Sequence, residues 1–194
     1  WPERPDRAYL GYIDGGAIIL DVSDKSKPSM ISRVDYHPPF PGFTHTVMPL
    51  FDRDLLIVSD ESVVDHGDDF PKMVWVMDGR DETNPVIIST FPMPDPEQFS
   101  QNDGRHGAHN LHENKPGPLS MRSDQLIVGS YFNGGVRVHD ISDPFRPEEV
   151  AYYIPAYPEG MNGVNINDVY WDEKGLIYAI DRFKGGLYVL ELTL

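Results

Sequence analysis

The feature that most constrains this chain is a repeat in which an acidic residue closes a short apolar run and a proline follows seven positions later. Three segments share it: Ala17-Ile-Ile-Leu-Asp21-Val-Ser-Asp24-Lys-Ser-Lys-Pro28, Val74-Trp-Val-Met-Asp78-Gly-Arg-Asp81-Glu-Thr-Asn-Pro85 and Val136-Arg-Val-His-Asp140-Ile-Ser-Asp143-Pro-Phe-Arg-Pro147. A fourth run, Leu187-Tyr-Val-Leu-Glu191, repeats the first half. The landmark acids Asp21, Asp78, Asp140 and Glu191 stand 57, 62 and 51 residues apart. That is the spacing of one supersecondary unit recurring along a chain. The turn has its own physics: Asp and Ser side chains accept backbone N–H bonds, and proline fixes φ at the end of the loop. These residues are therefore read as structural.

More of each unit aligns outside this core. A strand is predicted after each proline, over Met30–Tyr36, Val86–Phe91 and Val150–Ile154. Another precedes each core, over Leu55–Asp60, Gln125–Ser130 and Leu176–Asp181. A third opens three of the units, over His45–Leu50, His109–Glu113 and Asn167–Trp171. The runs are short and rich in Val, Ile, Tyr and Phe, and turn residues bound them. Gly15-Gly16, Gly134-Gly135 and Gly185-Gly186 mark hairpins that need positive φ. Four short strands, A to D, recurring at this spacing predict an all-β chain of four-stranded antiparallel propeller blades.

The stretch Tyr131-Phe-Asn-Gly-Gly-Val-Arg-Val-His-Asp-Ile-Ser-Asp-Pro-Phe-Arg-Pro147, with the strand motifs Leu55-Leu-Ile-Val-Ser-Asp60 and Leu126-Ile-Val-Gly-Ser130, resembles the LVIVD-repeat β-propeller family. The resemblance covers nearly the whole chain. It implies the fold and carries no general set of catalytic residues. Read as one propeller segment over 1–194, the chain divides into a partial blade 1–37, blades 38–94 and 95–157, and a partial blade 158–194. The first unit lacks strand A and the last lacks strand D, about three and a half blades. An open arc exposes strand edges. The expectation is a fragment or an oligomer: the missing blades come from more chain, another chain or a second copy, two copies totalling seven blades. A four-bladed ring closed by its terminal strands is the compact alternative.

Composition narrows the partners. With 16 Lys and Arg against 31 Asp and Glu, the formal net charge is −15. Such a field repels phosphate backbones and anionic lipid, so nucleic acid and membrane are not expected partners. Cations are not repelled. The chain has no cysteine, which excludes disulfides, zinc–thiolate sites and thiol nucleophiles. No run approaches the about 18 apolar residues of a membrane helix. A soluble chain is expected, with the compartment open and secreted or periplasmic locations included.

In a propeller, strand A lines the channel, and the start of A and the end of B meet at one mouth. His45, His109 and Asn167 occupy the equivalent first position of three consecutive A strands, with Thr46, Asn110 and Asp168 beside them and Asp60, Glu61 and Asp181 at the B-strand ends. Rotational repetition brings equivalent positions together, and imidazole suits a divalent transition metal such as Zn, Fe or Cu, with Mn favoured by oxygen ligands. His45 and His109 are the candidate ligands, with His106 in the loop above. Ordinary mouth residues bonded to backbone carbonyls are the alternative. Glu61, Asp168 and Asp181 are candidate bases. Arg105, Arg182, Asn110, Asn167 and Tyr131 are candidate substrate contacts, the two arginines for a carboxylate or else for charge balance with local acids. His112 is read as packing against the neighbouring sheet, His139 as structural, and His37 and His66 as solvated.

Other chemistries find no footing. The acidic loop Asp60–Asp69 lacks EF-hand spacing. No helix follows the glycines at 104–107 or 160–163, so no phosphate loop or nucleotide cofactor is expected. No serine sits in a nucleophile elbow. The long D–A loops Pro92–Gly107 and Ala156–Asn165 are candidate lids or rims. Two functions follow: a metal-dependent enzyme acting on a small molecule at the channel mouth, or a non-enzymatic scaffold for protein partners.

Overall fold

The computed structural model describes residues 1–194. It contains thirteen strands: β1 (Arg7–Gly11), β2 (Ala17–Asp21), β3 (Ser29–Val34), β4 (Thr44–Leu50), β5 (Leu55–Asp60), β6 (Val74–Asp78), β7 (Val86–Thr90), β8 (Leu126–Ser130), β9 (Val136–Asp140), β10 (Glu148–Tyr153), β11 (Ile166–Trp171), β12 (Leu176–Asp181) and β13 (Gly186–Glu191). One short helix, α1 (Pro96–Phe99), lies in the loop after β7. The strands form four antiparallel, blade-like sheets in chain order: β1–β2–β3, β4–β5–β6–β7, β8–β9–β10 and β11–β12–β13. Every strand pairs with its sequence neighbour, as the alternation of apolar runs and turn residues dictates. No helix is long and apolar enough to cross a membrane.

One expectation is revised. The segment His109–Glu113 does not form a full strand. Residues 109–112 run beside β8 through His109 N–H to Ser130 O (3.0 Å), Ser130 N–H to Asn110 O (2.8 Å) and His112 N–H to Val128 O (2.9 Å), with one bridge, Leu111 to Gly129. The ladder breaks because the Asn110 N–H donates to the Ser130 hydroxyl at 3.1 Å instead of to a backbone carbonyl. The terminal units form three-stranded sheets, the first without an inner strand before β1 and the last without an outer strand after β13, as the repeat count expects.

Sheets stack face to face because alternation puts apolar side chains on both faces of each strand. Ile19, Val47, Val58 and Trp75 fill the space between the first and second sheets. Met48, Ile57, Val76, Leu111 and Ile127 fill that between the second and third. Val128, Val138, Val169, Trp171 and Ile177 fill that between the third and fourth. The two inner sheets are thus buried on both sides, which explains their near-continuous apolar runs.

A carboxylate clamp locks the first two sheets. Asp60, at the end of β5, is fully buried. Its Oδ1 accepts from the Tyr36 hydroxyl at 2.6 Å and its Oδ2 from the Trp75 indole N–H at 2.9 Å. Burial pushes the carboxyl up, and the two donors oppose that shift. Asp181 occupies the same position on β12, where its Oδ1 accepts from the Asn165 and Phe183 backbone N–H groups at 3.1 and 2.8 Å. Truncating Asp60 leaves two buried donors without an acceptor. Asp60→Ala is expected to lower the unfolding free energy by about 2–4 kcal/mol, read as a reduced denaturant midpoint at unchanged m-value.

Candidate functional site

The strand registers contain a repeated irregularity at the starts of β4 and β11. Along β4, Thr44 opposes Asp60 and Thr46 opposes Ser59, so His45 is the extra, bulged residue. Along β11, Ile166 opposes Asp181 and Asp168 opposes Ile180, so Asn167 is bulged in the same way. A bulge takes a residue out of the ladder and re-aims it. The freed Asn167 carbonyl accepts from the Ser130 hydroxyl (3.0 Å) and the Asn110 amide (3.2 Å), and pairs with His109 Nδ1 (2.7 Å). The bulge at His45 is accommodated by Gly11, where a Cβ would lie 2.3 Å from the His45 carbonyl oxygen.

These bulges bring the two imidazoles together, with ring centroids 4.5 Å apart. Glu61 faces both: His45 Nε2 is 3.8 Å from its Oε2 and His109 Nε2 is 3.5 Å from its Oε1. One ligand atom from each of the three residues falls within 4.8 Å of the other two. The His109 Nδ1–H donates to the Asn167 carbonyl, which directs the Nε2 lone pair at Glu61. Burial, and after it the charges of His45, Arg182 and Arg105, hold His109 down at about 4 against the opposing pull of that hydrogen bond. At neutral pH the ring is uncharged, and its bare Nε2 opposes a carboxylate oxygen. His45 Nδ1 lies 3.0 Å from the Thr46 hydroxyl. The residues fit a divalent cation bound by two imidazoles and one carboxylate.

The other candidates divide. His106 is not brought to the pair. It is buried between the rings of Phe99 and Phe70, at 5.1 and 6.3 Å, and its Nδ1 meets Asn133 Oδ1 at 2.8 Å. Tyr131 is a core residue, 1% exposed among Met48, Ile57 and Ile127, which removes it from substrate contact. Alternation aims it inward from the end of β8. Asp181 is 5% exposed and bonded to backbone N–H groups, away from the imidazole–carboxylate cluster. Asp168 lies at the wall of a cleft of about 980 Å³ that also takes in His45 and Asn110. Partial burial and the charge of Glu113 push its carboxyl up, against the Val169 N–H and His45. Arg105 balances Glu61, with Nη1 to Oε1 at 2.7 Å. Arg182 reaches over Phe132 at 6.0 Å, the ring on which His109 stacks at 4.7 Å. His112 faces the fourth sheet, its Nδ1 accepting from Trp171 N–H at 3.1 Å.

The long loops are a fixed rim. The Asn102 amide donates to the Tyr157 hydroxyl at 2.9 Å. The Asn162 N–H donates to Asp103 Oδ2, and the Asp103 N–H to the Asn162 carbonyl, both at 2.8 Å. Phe132 is the functional residue that sequence reasoning missed. It follows Tyr131 in the Gly-pair hairpin, fully buried at φ +46°, and its signal was that hairpin's position directly above the mouth.

Comparison with known proteins gives the following. The model of the LVIVD repeat matches residues 6–36, the stretch that forms the first sheet. Among solved structures, the chain is similar to the X-ray structure of a hypothetical selenium-binding protein from Sulfolobus tokodaii. Identity is 15%, coverage is 92% of this chain and 56% of that one, and the TM-score is 0.39. The chain spans about half the length of that structure. No curated protein matches it.

The buried histidines set an acid limit. Burial lowers His106, His109, His112 and His139, the last to about 3. Each ring binds its proton more weakly folded than unfolded, so the unfolded chain takes up more protons once pH falls below about 6.5. Asp60 and Asp168, pushed up by burial, act in the opposite direction. Four rings outweigh two carboxyls: stability is expected to fall from about pH 6.5 towards pH 4. Thermal melts across that range check it, and a flat or rising midpoint on acidification would contradict it.

Proposed function

We propose, for a chain that carries an LVIVD repeat and the sheets of a β-propeller, that His45, His109 and Glu61 hold a divalent transition metal at the channel mouth and that the site acts on a small molecule. One observation carries this reading. His109 commits its proton to the Asn167 carbonyl at 2.7 Å, and its remaining lone pair opposes a carboxylate oxygen at 3.5 Å. Arg105 neutralises that oxygen at 2.7 Å and leaves the other, 3.8 Å from His45 Nε2, as the carboxylate oxygen open to a cation shared with the two imidazoles. The donor set of two nitrogens and one oxygen suits Zn, Fe or Cu, and tolerates Mn.

A bound metal would supply Lewis acidity or an activated water. The chain's own residues supply the rest. Asn167 fixes the tautomer and orientation of His109 through its carbonyl. Arg105 anchors Glu61 from the side opposite its free oxygen. Asp168, a carboxyl pushed up by partial burial on the wall of the cleft that holds His45, is the candidate base. The tied loops keep the rim in place. Glu61 is a ligand in this reading rather than a base.

Purified protein given a divalent transition metal is expected to retain close to one ion per chain. His45→Ala and His109→Ala should each lose it, and His106→Ala should keep it, since His106 lies outside the cluster. Saturating metal at about a hundredfold over its dissociation constant should add about 2.7 kcal/mol of stability. Metal analysis after gel filtration, with melts of the same samples, checks this. Wild-type protein that retains no ion would end the reading.

A second reading, the scaffold, is favoured by one further observation. Val74 and Val76 of β6 are 1% and 0% exposed beneath the third sheet, while the equivalent Leu187 and Val189 of β13 are 59% and 54% exposed. We infer that this face takes the first sheet of a second copy, head to tail, whose outer face carries Leu10, Ile18, Leu20 and the 62% exposed Met30. Copies of net charge −15 repel each other, so added salt should strengthen the association. Light scattering is expected to give a two-chain mass at high salt that Val189→Glu returns to one chain. A one-chain mass at every salt concentration would sink the scaffold reading.

A further inference from the structure

The arginines of this acidic protein are nearly all spoken for. Arg4 and Arg7 share Glu82, Arg33 pairs Asp35, Arg80 pairs Asp78, Arg105 pairs Glu61, Arg122 pairs Glu3 and Arg137 pairs Glu149. Arg53 donates to three backbone carbonyls. Arg146 and Arg182 are left without an ion pair or a side-chain hydrogen bond. Arg146 sits in a C–D turn beside Asp143, among polar residues. Arg182 sits at the mouth. Its backbone is fixed by its N–H bond to the Asn165 carbonyl at 3.0 Å and by the Asp181 carboxylate on either side of it. Its side chain stays open to solvent.

The aromatic ring of Phe132 organises the charges around it. His109 stacks on it nearly parallel, at 16°. The Arg105 guanidinium lies 5.4 Å and the Arg182 guanidinium 6.0 Å from its centroid. Cations over an aromatic face are held there by the ring quadrupole. Two guanidiniums therefore converge beside the imidazole–carboxylate cluster in a protein that is otherwise strongly negative. Glu61 neutralises one of them. The other presents a planar fork of donors without an acceptor, over the ring on which His109 stacks.

We propose that Arg182 is the anion-recognition group of this mouth, and that the ligand class is a small organic carboxylate held between Arg182 and the His45–Glu61–His109 cluster. The inference deepens the metal reading and rests on it for the ligand's second contact. A guanidinium pairs with carboxylate in a bidentate, charge-assisted geometry that a neutral amide cannot match. On a surface of net charge −15 an anion settles only where a local cation is left unpaired, and Arg182 beside Phe132 and His109 is such a place.

The test titrates acetate and succinate, with acetamide as the neutral probe, into wild type, Arg182→Gln and Arg146→Gln. The last matches the charge change at a site outside the mouth. Metal content is measured on each sample. The expected result is carboxylate binding that weakens about tenfold or more in Arg182→Gln, is unchanged in Arg146→Gln, and is not reproduced by acetamide. Metal content should be equal in all three. Equal carboxylate affinity in wild type and Arg182→Gln would overturn the proposal, as would acetamide binding as tightly as acetate. Carboxylate binding that depends on Arg182 in protein retaining no metal would keep the anion subsite and remove the metal reading. Metal retained without Arg182-dependent binding would do the reverse.

Discussion

Every feature of this molecule depends on sheets that are apolar on both faces. A sheet with two such faces must be covered twice, and the simplest way for a repeated unit to achieve that is to stack on copies of itself. The chain has four such sheets, and the clusters around Trp75, Ile57 and Val138 are the three junctions between them. Stacking repeats a position as well as a fold. Whatever stands at the start of an inner strand in one sheet stands near its counterpart in the next. The meeting of His45 and His109 is a consequence of packing before it is a matter of chemistry.

Chemistry enters through departures from the repeat. A perfect ladder would keep the Asn167 carbonyl paired in its sheet. The bulge releases it, and it collects three side-chain partners, among them the ring that faces Glu61. The mouth differs from blade to blade in the same sense: His45 and His109 at two inner positions, Asn167 at the third, Glu61 following one B strand and Arg182 following another. A symmetric scaffold thus carries an asymmetric set of donors and charges. Positions that must pack, such as Asp60 and Trp75, are held by buried hydrogen bonds at the same height.

Much of this was legible in the residues. The Asp-to-Pro turn gave the repeat, and the repeat gave four sheets and the convergence of His45 with His109. Three things were not. The bulges at His45 and Asn167 leave no mark in composition, because they express a mismatch in strand register rather than a residue preference. Tyr131 was a candidate substrate contact, yet alternation turns it into the core and leaves Phe132 beside His109. His106 shares its segment with His109 but turns into an aromatic pocket, since two residues of irregular backbone, with Gly107 at φ +140°, intervene. Sequence proximity predicted a third ligand, and backbone direction removed it.

The claim on which the site rests is that the Nε2 of His109 is bare and faces a carboxylate. Nitrogen-15 NMR of the imidazoles in metal-free protein at neutral pH reads this directly. The account predicts a neutral His109 ring with its proton on Nδ1 and an unprotonated Nε2. A proton found on Nε2, shared with Glu61 in an ordinary hydrogen bond, would contradict it and leave the cluster with no need of a cation.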